Sequence, residues 1–284
     1  MERGHGALLD AFAASLRAEA KEDSTIQLYV HSVEGLLAGL EDRGGIAAAT
    51  SADLLRYRDA LLAGGMKRST VNKRMSIARS FFHWAGRQGL ASPDVADGLR
   101  VEADAAPPVR WLSEQEERAL LEAASAGGNA ERNLRNSALI AAMLYAGLRV
   151  KEVSALRLDG LRRARLLVHD DARGDTPARV VPLEDERALA PLAGWLAHRL
   201  TSIHSIHKES ARLFVTERSG RMQPRAVQFA VESLSAKAGF PVRCSELRHT
   251  YCRRLAAQGA SVERIRAWAG HKSAQTTLRY FEGL

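Results

Sequence analysis

The sequence predicts a mainly α-helical protein with an N-terminal helical domain and an α-rich mixed α/β domain that contains a small β-hairpin or sheet. Apolar residues recur at intervals of three and four along most of the chain. Only residues 164–169 and 178–183 resemble strands, and the turn-forming segment DDARGDTP separates them. Between the two halves, Ala105-Ala106-Pro107-Pro108 interrupts the helical pattern, as a linker does.

Four helices are expected in the N-terminal domain. Residues 7–40 contain two amphipathic patterns, and Ser24 or Thr25 can cap the second. A third helix is expected after Thr50, and Ser69 is expected to cap the fourth. The inward face of the fourth helix is predicted to contain Val71, Met75, Ala78, Phe81, Phe82 and Trp84.

The opposite face of the fourth helix is basic, with Lys67, Arg68, Lys73, Arg74 and Arg79. This cluster is a candidate DNA contact, although the outer face of an amphipathic helix is usually just solvated. Residues 1–103 contain 13 basic and 13 acidic residues, so any contact with DNA is expected to be local.

We place the domain boundaries at residues 1–103, 104–111 for the linker, and 112–284 for the second domain. The formal net charge is +8, and the part after residue 103 holds 28 basic and 20 acidic residues. This excess is rich in arginine, which suits bidentate contacts with phosphates. Charge alone leaves two interpretations open: a nucleic-acid partner, or an ordinary basic enzyme.

In the second domain, Ser113-x-x-Glu116 is a capping box that begins a helix. Residues 134–146 form a strongly apolar helix that ends at Gly147. After the strand pair, long helices are expected at about 184–201 and 224–238.

The last forty residues predict three short helices that present three reactive side chains. Ser245 is the expected cap of the first helix, and the segment contains Arg248, His271 and Tyr280. A phenol can act as a nucleophile, and fixed cations stabilise a phosphodiester under attack.

Composition excludes several classes of protein. Cys244 and Cys252 are the only cysteines, and at this spacing on one helix they cannot easily bridge, so a reduced, intracellular chain is expected. No signal-like apolar run or membrane-length apolar segment is visible, which indicates a cytoplasmic protein. His169, His204 and His207 lack further ligands at metal spacing, so no metal site is predicted.

At this point an ordered set of motifs resembles one family. The set comprises Ala146-Gly147-Leu148-Arg149-x-x-Glu152, the strand pair with Arg179-Val180-Val181-Pro182-Leu183, Leu247-Arg248-His249-Thr250, and Gly270-His271 followed nine residues later by Tyr280. Together they resemble the tyrosine recombinases, or phage-type integrases, and look most like small bacterial Xer-type and transposon-resolution members. The N-terminal helices resemble the SAM-like core-binding domain of that family.

The resemblance implies a site-specific DNA recombinase for integration, excision or resolution. Its tyrosine would attack a backbone phosphate to give a 3′-phosphotyrosyl link, and strand exchange would pass through a Holliday junction. The implied partners are double-stranded DNA at a specific recombination site and a homotetramer or heterotetramer assembled on it. A need for accessory DNA-bending proteins stays open. The protein would work in the cytoplasm, on the nucleoid.

The chemistry of the residues agrees with this resemblance. Without Mg²⁺, Arg149 and Arg248 can hold the non-bridging phosphate oxygens, and His271 can donate a further hydrogen bond. The resemblance implies that Tyr280 is the nucleophile and that no metal or nucleotide cofactor takes part. Because two guanidinium groups are expected beside Tyr280, we predict that its phenolate form is favoured.

Three features depart from the family pattern. The usual lysine of the hairpin turn is absent, and Arg173 lies nearest to that position. Arginine binds phosphate but donates a proton poorly. Ser245 replaces the usual histidine three residues before the second arginine, and His249 is expected to be structural. Only four residues follow Tyr280, where many relatives have a helix that docks on a neighbouring protomer.

Two other functions compete with recombination. A type IB topoisomerase-like enzyme would use the same tyrosine chemistry to relax DNA. A catalytically weakened, DNA-binding relative is suggested by the departures at Arg173 and Ser245.

Overall fold

The computed structural model describes residues 2–97, 109–169 and 178–284. The chain separates into two compact units, Met1–Pro107 and Pro108–Leu284. Most of the predicted linker and the whole predicted hairpin turn, including Arg173, lie outside the described residues.

The described part of the first unit is helical. Its four α-helices are α1 (Glu2–Ala18), α2 (Asp23–Ala38), α3 (Ser51–Ala63) and α4 (Arg68–Arg87), and short 3₁₀ turns cover Glu41–Arg43 and Pro93–Ala96.

The N-terminal caps of these helices agree only in part with the prediction. The predicted start of α3 after Thr50 is confirmed, and the Asp53 carboxylate accepts the Thr50 N–H at 2.9 Å to close a capping box. The predicted caps of α2 and α4 are wrong, since α2 begins before Ser24 and α4 begins before Ser69. The first residues of α2 and α4 are exposed, so water can satisfy their backbone N–H groups without a hydroxyl cap.

Aromatic side chains form the centre of the first unit. The rings of Phe12 and Phe81 meet edge to face with centroids 5.3 Å apart, and Phe81 and Phe82 lie 5.6 Å apart. All three are buried, as is Trp84 on the same helix. The predicted inward face of α4 is therefore confirmed.

The basic face of α4 is partly open to solvent in the first unit. Lys67, Arg68 and Lys73 are exposed, whereas Arg74 and Arg79 are half-buried. The Arg79 guanidinium also donates to the Ala96 carbonyl at 3.4 Å, so it helps to hold the turn that follows α4.

The described part of the second unit contains a small sheet and nine helices. The helices are α5 (Glu114–Ser125), α6 (Ala130–Leu144), α7 (Val150–Ala155), α8 (Glu186–Thr201), α9 (Ser205–Glu209), α10 (Pro224–Ala238), α11 (Cys244–Ala257), α12 (Val262–Ala269) and α13 (Ala274–Leu278). The Ser113 capping box at the start of α5 is confirmed.

Helix α6 is the centre of the second unit. All residues from Ala138 to Leu144 are completely buried. Helices α5, α8 and α11 pack around it, and its alanines let those neighbours approach closely. The helix begins four residues before the predicted start, because the Asn129 side chain caps it by accepting the Arg132 N–H at 2.8 Å.

The strand pair is confirmed and extended by a third strand. Strands β1 (Leu161–Arg162), β2 (Arg165–Val168) and β3 (Arg179–Pro182) form an antiparallel sheet in the order β1-β2-β3. Leu166 pairs with Val181, and both are buried. The neighbouring pair, Leu167 and Val180, is exposed. The sheet therefore covers the core with one face only.

Among the helices of the described residues, none has the length and apolar content needed to span a bilayer.

Candidate active site

The turn between α6 and α7 places Arg149. Gly147 has a left-handed φ of +66°, and a Cβ at this position would enter the ring of Tyr251. Only glycine accommodates both the backbone conformation and this close contact. The chain can therefore reverse tightly after α6, and Arg149 emerges immediately before α7.

Arg149 is held at both ends of its guanidinium group. Its Nη1 donates to Glu152 at 2.9 Å, and its Nη2 donates to the Gly270 carbonyl at 2.7 Å. The Glu152 carboxylate also accepts the Arg149 N–H at 2.7 Å, which caps α7. The side chain remains 36% exposed, so a ligand can reach it.

Arg248 approaches the same place from α11. Its Nη1 donates to the Gly147 carbonyl and its Nη2 to the Ala269 carbonyl. Burial, followed by the charge of Arg149, lowers its pKa to about 10. The group nevertheless stays protonated at neutral pH. Two guanidinium groups are thus fixed beside the turn that connects α12 to His271.

His271 is a buried imidazole that contacts a buried hydroxyl group. Its Nδ1 lies 2.9 Å from the Thr277 hydroxyl, and both side chains are buried. Burial, followed by the charge of Arg248, lowers its pKa to about 3. The ring is therefore neutral at pH 7. If Nδ1 accepts the Thr277 proton, Nε2 carries the ring hydrogen and can donate it to a phosphate oxygen.

Tyr280 lies against His271. The two rings stack with centroids 6.0 Å apart, and Tyr280 is 2% exposed. Arg253 fixes its backbone by donating to the Tyr280 carbonyl at 2.9 Å. Four predicted site residues from three separate segments, Arg149, Arg248, His271 and Tyr280, therefore come together.

The predicted preference of Tyr280 for phenolate is wrong for this arrangement. Burial raises the pKa of Tyr280 to about 12, with a contribution from Cys252, while the nearby Arg248 lowers it only in part. The prediction counted the cations but not the loss of water around the phenol. The folded site therefore contains a neutral tyrosine.

A buried acid and a third arginine complete the site, and neither received a role from the sequence. Glu152 accepts hydrogen bonds from both Arg149 and Arg179. Burial alone would raise the pKa of Glu152, but the hydrogen bonds and charge of Arg179 hold it below its ordinary value. A signal existed: Arg179 lies two residues before the buried Val181 on β3, so both side chains are on the inward face, where an arginine requires a partner.

The remaining predicted residues differ in their placement. Ser245 is exposed, one turn before Arg248 on α11. It is not the helix cap that was predicted, because α11 begins at Cys244 and Glu246 accepts the Arg243 N–H at 3.0 Å. Arg173 lies outside the described residues, and the five basic residues of α4 belong to the other unit.

Two of the histidines considered as metal ligands have other partners. His204 and His207 lie edge to face with centroids 5.1 Å apart, and the Nδ1 of His207 is 2.8 Å from the Ser202 hydroxyl. Within residues 2–97, 109–169 and 178–284, no group of three or more His, Cys, Asp or Glu side chains could hold a metal ion.

Comparison with known proteins identifies the family. Residues 110–283 match the phage integrase family, and residues 9–89 match the phage integrase N-terminal SAM-like domain. The tyrosine recombinase XerC of Mycobacterium sp. (strain JLS) is 30% identical over 281 residues, which cover 96% of this chain and 93% of that protein.

Solved structures agree in fold. The Tn1549 transposon integrase in complex with transposon right-end DNA has a TM-score of 0.77 at 16% identity, covering 98% of this chain and 95% of that one. A lambda integrase dimer bound to a COC′ core site has a TM-score of 0.75 at 14% identity, with the same coverage. These findings give no support to the topoisomerase alternative. The chain therefore belongs to the phage integrase family of tyrosine recombinases, enzymes of site-specific DNA recombination.

Proposed function

We propose that this recombinase cleaves and rejoins DNA strands through a 3′-phosphotyrosyl intermediate, and exchanges them through a Holliday junction. The observation that carries the proposal is the convergence of Arg149, Arg248, His271 and Tyr280 around the turn at residues 269–271. Integration, excision and resolution all require this same chemistry.

In this proposal the two arginines bind the scissile phosphate. Each terminal guanidinium nitrogen carries two hydrogens, and the carbonyl or carboxylate contacts described above use one of each pair. The other hydrogens can point at the non-bridging oxygens, where charge develops during attack. His271 donates from Nε2, and Ser245 supplies a hydroxyl hydrogen bond.

Tyr280 is the proposed nucleophile. Its oxygen forms a bond to phosphorus while the bond from phosphorus to the 5′-oxygen breaks. The phenol proton must leave to solvent or to a phosphate oxygen, and the departing 5′-oxygen must gain a proton. Because arginine donates protons poorly, we assign to Arg173 a charge-stabilising role, with water supplying the proton.

A nicked suicide DNA tests the proposal. Cleavage next to the nick releases a short fragment, so the protein should stay covalently attached to the 3′-phosphate. Tyr280→Phe should bind the same DNA and form no adduct. Absence of an adduct with the wild-type protein would favour the catalytically weakened relative. Exchange between two sites on one plasmid then tests recombination itself.

A second substrate tests the leaving-group step. A 5′-bridging sulfur leaves without a proton, so wild-type protein should cut this DNA faster than normal DNA. Equal rates would contradict the proposed weakness of the general acid.

The remaining parts of the proposal concern DNA binding and assembly. We propose that residues 1–103 form the core-binding domain and residues 112–284 the catalytic domain, joined by residues 104–111. The α4 face, Lys67, Arg68, Lys73, Arg74 and Arg79, contacts the DNA backbone. Four protomers act together on the DNA, in the cytoplasm and on the nucleoid. DNA-bound integrases of the same fold support a double-stranded DNA partner.

A further inference from the structure

We infer that Arg179 is a positioning residue for phosphoryl transfer: it shares the Glu152 carboxylate with Arg149 and so leaves Arg149 able to bind the phosphate. This inference rests on the proposed function, because it assigns Arg149 to the scissile phosphate.

The Arg179–Glu152 pair has the geometry of a fixed bidentate contact. Arg179 Nη1 donates to Glu152 Oε1 at 2.9 Å, and Nη2 donates to Oε2 at 2.8 Å. The side chains are 7% and 3% exposed, so water screens the pair very little. Two parallel charge-assisted hydrogen bonds set both the distance and the orientation of the carboxylate.

Each Glu152 oxygen serves both arginines. Oε1 also accepts from Arg149 Nη1, and Oε2 also accepts the Arg149 N–H. One negative charge is therefore divided between two guanidinium groups. If Arg179 were lost, the buried carboxylate would have Arg149 as its only described side-chain donor. The pair would neutralise the cation that the phosphate needs, and could draw it toward Glu152.

Arg179 also fixes the turn that precedes His271. Its Nε donates to the Trp268 carbonyl at 2.7 Å. Its guanidinium lies against Gly270, where an added Cβ would come within 2.9 Å of Nη1. The Gly270 carbonyl in turn accepts from Arg149 Nη2. Strand β3 thus holds the acid, the arginine and the turn together through one side chain.

Single-turnover cleavage of nicked suicide DNA by the full chain tests the inference. Arg179→Gln should reduce the cleavage rate roughly 100-fold, the order expected when a reacting group is misplaced by about 1 Å, while DNA affinity changes little. Arg179→Lys keeps the charge but not the fork, so it should recover part of the rate. Arg118→Gln is the matched control, since it removes an exposed arginine of α5 in the same unit.

The double variant Glu152→Gln/Arg179→Gln separates positioning from general structural support. If Arg179 acts through Glu152, the double variant should cleave no more slowly than the slower single variant. Additive losses would overturn the inference, as would cleavage by Arg179→Gln within about threefold of the Arg118→Gln control, a difference under 1 kcal/mol.

Folding is checked by the melting temperature of each variant. If Arg179→Gln does not fold, Arg179→Lys is the deciding variant. A wild-type cleavage rate in folded Arg179→Lys overturns the inference. A reduced cleavage rate at unchanged DNA affinity supports it. Failure of the wild-type protein to form any adduct would instead reject the proposed function itself.

Discussion

Replacing Gly147 with alanine should damage both stability and catalysis. The residue has a φ of +66°, and its missing Cβ makes room for the ring of Tyr251. A left-handed alanine costs about 1–2 kcal/mol, and overpacking a buried contact costs about 1–3 kcal/mol more. Together these give about 2–5 kcal/mol. At roughly 2–4 °C per kcal/mol for a domain of this size, the second unit should melt roughly 4–20 °C lower.

The assay is calorimetry of the full chain, followed by suicide-DNA cleavage. Gly194→Ala is the control, because Gly194 lies inside α8 with open space around its Cβ position. That change should leave the melting temperature unchanged or raise it, since alanine stabilises a helix interior by about 0.5–1 kcal/mol relative to glycine. Gly147→Ala should also cleave more slowly, because the Gly147 carbonyl accepts from Arg248. Equal melting of Gly147→Ala and wild type would refute the steric argument.

Three further predictions concern His271 and the α4 face. Thr277→Val leaves the His271 Nδ1 without its described partner, and an unsatisfied buried polar group costs about 1–3 kcal/mol. The rate of single-turnover cleavage should therefore fall about tenfold, while Thr277→Ser should cleave at close to the wild-type rate. Folding lowers the pKa of His271 from 6.5 to about 3, so the unfolded chain binds a proton at a higher pH than the folded chain does. The free energy of unfolding should therefore drop as pH falls from 6.5 toward 3. In urea titrations, His271→Gln should weaken this pH dependence of stability. The control is His31→Gln, which replaces a side chain that is 75% exposed and should not change it. Lys73→Ala or Arg74→Ala should weaken DNA binding and flatten its salt slope by roughly 0.9 per lost contact, and Lys21→Ala should leave the slope alone.

Sequence reasoning predicted the elements whose signals are local. The Thr50 and Ser113 caps each involve an acid three residues later, and both formed. Ser24, Ser69 and Ser245 have no acidic residue three positions later. Their helices begin earlier in the chain, and at α11 the Glu246 side chain caps the Arg243 N–H instead. A single hydroxyl is a weak boundary signal, since a cap contributes only about 1 kcal/mol.

The residues of the site also fall into those that the sequence predicted and those that it did not. The groups proposed to touch the phosphate were predictable because the resemblance rests on their order and spacing. The groups that hold them were not, because their contacts join distant segments: Glu152 with Arg179, Gly147 with Arg248, and Gly270 with Arg149. Spacing along one helix could suggest the Arg149–Glu152 contact, but nothing local indicates that β3 supplies the second partner of Glu152.

Tyr280 shows why charge alone is a poor guide to a buried nucleophile. Its surroundings contain cations that favour phenolate, yet removal of water raises the pKa of Tyr280 to about 12. At pH 7 only about one site in 10⁵ would hold phenolate, since each pKa unit is a factor of ten. The same burial that makes each arginine contact strong therefore makes the nucleophile weak. Attack therefore requires that the phenol lose its proton, to solvent or to a phosphate oxygen, as the phosphate arrives.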